Sequence, residues 1–144
     1  MKKQLLLSAC LIMIAVITSA QSTDPLVSKC AMTAGPNTTY LKDFRVQLGL
    51  GNKQNDLRYK QIFPLSKNMK YKFTLCNADN SKSPLIMTIT DDTGRKVLST
   101  FDQKSGKTFT SIEFVCNKTG TYHLNFDFLN FQQGLGVGVV SLVK

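Results

Sequence analysis

Met69-Lys70-Tyr71-Lys72-Phe73-Thr74-Leu75 alternates apolar and polar side chains without a break. A period of two places Met69, Tyr71, Phe73 and Leu75 on one face of a strand, and Lys70, Lys72 and Thr74 on the other. The pattern returns at Thr121 to Phe128, where Tyr122, Leu124, Phe126 and Phe128 face one way and Thr121, His123, Asn125 and Asp127 the other. A helix would scatter both sets around its circumference. One packed face and one solvated face is the habit of antiparallel sheets.

Working outward, three more strand-like runs lie between these two: Leu85 to Thr90, Val97 to Phe101, and Thr108 to Cys116. Turn-forming clusters separate them at Asn77 to Ser81, Asp91 to Gly94 and Asn117 to Gly120. Upstream, Tyr40 to Leu50 reads as a strand with Phe44, Val46, Leu48 and Leu50 on one face. Arg58 to Leu65 reads as another, and Pro64, which cannot donate to a ladder, places it at a sheet edge or ends it there. Downstream, Leu129 to Gln133 is a loop with an apolar tip. Gly134 to Val143 is apolar on both parities, as a central strand buried on both sides would be. The expected fold is all-β, an antiparallel, jelly-roll-like β-sandwich of about eight strands with no helix in the mature chain. Gln21 to Pro36 reads as an extended lead-in.

The first twenty residues are expected to be a secretory signal peptide. Met1-Lys2-Lys3 is positive, Leu5 to Ile17 is apolar, and Thr18-Ser19-Ala20 is a small-x-small cleavage pattern. The apolar run is short for a membrane span. Leu7-Ser8-Ala9-Cys10 resembles a lipobox but sits too early in the apolar region. Cleavage after Ala20 makes residues 21–144 one domain and leaves 16 Lys and Arg against 9 Asp and Glu, a net charge of +7. The cations are dispersed with no basic stripe interleaved with aromatics, which argues against nucleic acid. The expected location is the periplasm, the cell surface or the medium.

Three cysteines remain after cleavage: Cys30, Cys76 and Cys116. Cys76 with Cys116 is the favoured disulfide, because both end strong strands beside turns. Parity speaks against it: Cys76 lies on the polar side of its strand, whereas Cys116 shares a side with Ile112 and Phe114. Cys30 is the alternative partner of either.

The chemistry-bearing motifs are few. Asp92-Thr93-Gly94 matches the core of an aspartic-protease site, where two such aspartates share a proton. Thr90 and Asp91 before it and Arg95 after it depart from that motif, and Asp-Thr-Gly between two strands is also turn chemistry. Gly134-x-Gly136-x-Gly138 opens a strand, not the helix a nucleotide loop requires, so close packing is its reading. His123, the only histidine, lies on a polar parity with no nucleophile paired to it. Asn77, Asp79, Asp91 and Asp92 carry calcium-ligand chemistry only if they converge at one sandwich end. Asn37-Thr38-Thr39 and Asn117-Lys118-Thr119 read as turns. No metal and no cofactor is expected.

Three segments carry a family resemblance: Leu65 to Leu75, Met87 to Leu98, and Phe114 to Leu124. Their Tyr-x-Phe strand opening, Asp-x-x-Gly hairpin and late Gly-x-Tyr strand resemble the bacterial pre-peptidase C-terminal (PPC) domain and the GOLD domain of secretory-pathway proteins. The resemblance covers about half of the mature chain. It implies a non-catalytic exported β-sandwich that binds or positions something else, and it transfers no catalytic residue.

The function expected from the sequence is therefore a binding or structural module at the cell envelope or outside it, not an enzyme. Its partner would be a protein or a glycan, met on an exposed sheet face or a sandwich end. Tyr40, Tyr59 and Phe131, with the cations Arg58 and Lys60, are the candidate contacts, since exposed aromatics beside cations suit such partners. The rivals are a dimeric aspartic hydrolase using Asp92 and a secreted enzyme inhibitor.

Overall fold

A computed structural model describes residues 24–51 and 58–144. The expected signal peptide and Cys10 lie outside the described residues. The described residues form ten strands, and eight of these build two four-stranded antiparallel sheets. The first sheet runs β1 (Thr38–Leu48), β10 (Gly134–Val143), β3 (Lys70–Asn77), β8 (Ser111–Val115). The second runs β2 (Tyr59–Leu65), β9 (Gly120–Phe128), β4 (Leu85–Thr90), β5 (Lys96–Ser99). The chain changes sheet at every connection among these eight except the β4–β5 hairpin, which is the jelly-roll arrangement. The remaining two strands, β6 (Phe101–Asp102) and β7 (Lys107–Thr108), form a small hairpin beside β5.

Alternation dictates the core. Tyr71, Phe73 and Leu75 of β3 meet Leu124, Phe126 and Phe128 of β9, with Phe44, Val46, Leu85, Met87 and Ile89 between the sheets. Each fully buried large side chain contributes about 1.5–3 kcal/mol. Leu50 lies beyond the end of β1 and is exposed, so the expected inward row stops at Leu48. β2 with its Pro64 is an edge strand, as the missing amide donor requires.

The glycines of β10 make room for this core. A Cβ on Gly138 would sit 2.6 Å from the Phe126 ring, and one on Gly134 would sit 2.6 Å from the Phe128 ring. The Gly-x-Gly-x-Gly run is thus a slot for two phenylalanines of the opposite sheet.

The opposite side of β10 is also buried, and its cover corrects two expectations. Residues Pro25–Thr33 are not an extended lead-in but a helix, α1. Asp24 caps it, its Oδ1 accepting from the Leu26 amide at 2.9 Å, Pro25 occupies the first turn, and Gly35 follows at φ +98°. Val27 and Cys30 pack on Val137 and Val139 of β10. Arg45 of β1 pairs with the Asp24 carboxylate.

The disulfide joins Cys30 to Cys76, not Cys76 to Cys116. The parity objection explains why. Cys76 projects from the outer face of the first sheet, beneath α1. Cys116 is turned into the core and remains a buried thiol, donating to the Lys118 carbonyl at 3.1 Å. The Tyr122 hydroxyl donates to the same carbonyl at 2.7 Å. Burial, aided by Cys116, pushes that phenol up to about 12.

One flaw lies under the helix. Thr74 is fully buried on the outer face of β3, and its Oγ1 has no hydrogen-bond partner among the described residues. An orphaned buried hydroxyl costs about 1–3 kcal/mol. Thr74→Val keeps the shape and removes the hydroxyl, so its urea midpoint is expected to rise by the equivalent of about 1 kcal/mol. A fall of the midpoint would contradict that reading.

Candidate binding groove

The two outer sheet faces are unequal. The first carries α1 over its middle, with Val137, Val139, Ser141 and Thr74 buried, while Val115 and the Lys70–Glu113 pair stay exposed. The second carries a groove of about 680 Å³. Register builds its floor. Lys60 of β2 lies opposite Asn125 of β9, Asn125 opposite Thr88 of β4, and Thr88 opposite Ser99 of β5. One polar row therefore crosses all four strands on the side away from the core. The Thr88 and Ser99 hydroxyls are 3.2 Å apart, and Asn125 Nδ2 donates to the Thr88 carbonyl at 3.2 Å. Phe101 and Phe131 supply apolar walls, and Lys60 and Lys96 line the groove with them.

Phe131 is fixed by its turn. Residues Leu129–Phe131 form a short 3-10 turn in which Asn130 and Phe131 both take left-handed backbone, φ +59° and +57°. Bulky side chains rarely adopt that conformation, so the surroundings must enforce it. The Gly51 amide donates to the Phe131 carbonyl at 2.9 Å, and Arg58 Nη2 donates to the Gln132 carbonyl at 2.9 Å.

Arg58 is thus a staple. Its Nε and Nη2 form a fork on Asp127, at 3.0 Å and 2.8 Å to Oδ1, while Nη1 donates to the Gly49 carbonyl at 2.6 Å. The side chains are 16% and 1% exposed. Asp127 Oδ1 also accepts from the Phe128 amide at 2.7 Å. Asp127 has the solvent-side parity of β9, yet the turn and the guanidinium bury it.

The five residues singled out from the sequence separate accordingly. Lys60 and Phe131 meet at the groove. Arg58 is spent on an internal ion pair. Tyr59 turns inward, its ring 5.9 Å from Phe126. Tyr40 lies on the edge strand of the other sheet, 45% exposed, with its hydroxyl on Asp43. Burial, and then that bond, push its phenol up to about 12. Thr88, Asn125, Ser99, Lys96 and Phe101 were not among the sequence candidates. The polar parity of Thr88, Asn125 and Ser99 was visible, but the register that aligns them was not.

A second hollow of about 520 Å³ lies at one sandwich end, between the Asp91–Arg95 turn and residues 117–122. Asp91 there belongs to its own turn. Its Oδ1 accepts from the Thr93 hydroxyl at 2.6 Å and from the Thr93 and Arg95 amides, and Gly94 closes the turn at φ +82°. The Thr93 hydroxyl first, then these amides and the Arg95 charge, hold the Asp91 carboxyl below the usual carboxylate range. Asp92 is exposed on the same hairpin.

The calcium grouping does not assemble. Asn77 and Asp79 precede β4 whereas Asp91 and Asp92 follow it, so six residues of strand, about 20 Å, separate them. Asn77 is also occupied, donating to the Ser83 carbonyl at 2.6 Å and accepting from the Leu85 amide at 3.0 Å. No cluster of three or more His, Cys, Asp or Glu among the described residues is placed to hold a metal. No helix among them is long and apolar enough to cross a membrane.

No family model matches the chain, and no curated protein does. Among solved structures, the crystal structure of the SPBc2 prophage-derived protein YomS is similar at 11% identity and a TM-score of 0.38, over 74% of this chain and 99% of that one. A likeness of that size carries no role with it.

Proposed function

We propose that the protein is a non-catalytic exported binding module that holds a glycan in the groove of the second sheet. The observation that carries this reading is the asymmetry of the sandwich. The middle of one outer face is occupied by a disulfide-anchored helix, and the other face is left open as a recess with a hydroxyl-and-amide floor between phenyl walls. Sugars present hydroxyls at the ring edge and an apolar face of C–H groups, and such a recess matches both. Among the described residues, the ionisable groups lining the recess are two lysines and an aspartate committed to Arg58, an arrangement suited to holding and not to proton transfer. Export is supported by the signal-like first twenty residues and by a disulfide, which persists in oxidising compartments. The resemblance to PPC and GOLD modules points the same way.

Backbone amide shifts followed during titration with neutral and acidic hexasaccharides test the reading. Perturbations are expected at Thr88, Ser99, Asn125 and Phe131. Perturbations confined to β1, α1 or the sandwich ends, or none with any sugar, would refute it.

A further inference from the structure

We infer that the sugar held in this groove carries an acetamido group, so that a 2-acetamido oligosaccharide binds in preference to one bearing only hydroxyls; this rests on the glycan reading proposed above. The hydrogens at the centre of the floor are already spent. Ser99 has one hydroxyl hydrogen and gives it to the Phe101 carbonyl at 3.1 Å. The bond between the Thr88 and Ser99 hydroxyls, at 3.2 Å, must then use the Thr88 hydrogen. Asn125 Nδ2 turns back on the sheet, toward the Thr88 carbonyl at 3.2 Å and the His123 carbonyl and Thr90 hydroxyl at 3.4 Å. Those two carbonyls fix which way the amide points, since a flipped amide would set oxygen against oxygen. What is left for a ligand is oxygen. Thr88 Oγ1 and Asn125 Oδ1 accept from no described residue, so the floor accepts and the ligand must donate.

Beside those acceptors the groove is apolar. Ile86 precedes Thr88 by two residues on the same outer face of β4, about 7 Å along the strand. Its side chain, 8% exposed, lines the recess together with Phe101, Leu129 and Phe131. Along β4 the recess thus passes from hydrocarbon at Ile86 to acceptor oxygen at Thr88. A secondary amide matches that order of chemistry. In its planar trans form the N–H and the acetyl methyl lie along one edge and the carbonyl along the other. Set edge-on to the floor, an acetamido group donates its N–H to Thr88 Oγ1 or Asn125 Oδ1, lays its methyl toward Ile86 and leaves its carbonyl in water. A bare hydroxyl on the same carbon makes the donation but leaves the apolar end unfilled. Phe131, held in its left-handed turn by Gly51 and Arg58, is in place before any ligand arrives.

Calorimetric titration of the purified protein with chitotetraose and with cellotetraose tests the preference, because the two share length, linkage and zero charge and differ only in the group at C2. Chitotetraose is expected to bind about fourfold or more tightly, the factor that one buried methyl supplies. Ile86→Thr makes the apolar end polar and is expected to cut that ratio below about twofold while leaving cellotetraose unchanged. Ile86→Val, the milder change, should give an intermediate ratio and carries the test if Ile86→Thr does not fold. Thr88→Val removes the acceptor at nearly constant shape and is expected to weaken both oligomers severalfold. Equal affinity for the two oligomers, or tighter cellotetraose, would overturn the acetamido preference while leaving the glycan reading standing. Binding of neither would overturn both. A ratio unmoved by substitution of Ile86, or affinities unmoved by Thr88→Val, would mean that the acetamido group sits elsewhere, and the inference would fall.

Discussion

Arg58→Ala is expected to destabilise the protein by about 3–5 kcal/mol, a large part of the total stability of a domain this size. The reason is what the substitution leaves behind. Asp127 is 1% exposed, and without the guanidinium its carboxylate stays buried with only backbone amides for company. The same change frees the Gly49 and Gln132 carbonyls, so the β1 end and the Phe131 turn lose a common anchor. Arg58→Lys keeps the charge but not the fork, and is expected to recover only part of the loss. Combining Arg58→Ala with Asp127→Asn removes the stranded charge and is expected to be less destabilised than Arg58→Ala alone. Urea unfolding of the four proteins measures all of this. A change below about 1 kcal/mol in Arg58→Ala would mean that the pair behaves as an exposed surface bridge.

Reduction of Cys30–Cys76, or Cys30→Ser with Cys76→Ser, is expected to be the second large loss. The bridge closes a loop with a sequence separation of 46 residues. Chain-entropy reasoning puts such a loop near the upper part of the usual range of about 2–4 kcal/mol. The melting temperature should fall by about 10 °C or more. The consequence is local as well. α1 rests on the sheet through a few apolar side chains and the Asp24–Arg45 pair, so amide exchange across Val27 to Thr33 should accelerate on reduction before the sheets open. Cys116→Ser keeps the core sealed and is expected to leave the response to reductant intact. A peptide map linking Cys76 to Cys116, or exchange in α1 unmoved by reductant, would refute the account of the helix.

The sandwich was legible because its evidence is local. Tyr71, Phe73 and Leu75, and Tyr122 to Phe128, declare their faces within a few residues. The apolar glycine-rich run at the C-terminal end declared a strand buried on both sides, which it is. The helix was missed because nine residues with two deeply buried side chains, Val27 and Cys30, give too short a repeat to register as a period. Its punctuation was present in Asp24-Pro25 and Gly35. The disulfide followed from the same omission: with no helix over the outer face, Cys76 had no partner on its own side, and the parity of Cys116 was the clue that outweighed its position.

The site was less legible because its evidence is non-local. Arg58 beside Tyr59 looks like a surface cation next to an aromatic. Only the partnership with Asp127, 69 residues away, makes it internal. Lys60, Asn125, Thr88 and Ser99 each appear in sequence as an unremarked polar position on a strand. They become one row only when four strands pair in register, and pairing partners are set by the order in which the chain crosses between sheets.

The central claim is that the uncovered face of the second sheet is the surface the protein uses, and filling that recess tests it most directly. Thr88→Arg places a long side chain in the middle of the polar row without disturbing the core side of β4. Titrated with neutral and acidic hexasaccharides, the parent protein should show amide shifts at Ser99, Asn125 and Phe131, and the filled variant, folded to the same melting temperature within a few degrees, should show none. Unchanged shifts and affinity in Thr88→Arg would contradict the account and move the binding surface elsewhere on the molecule.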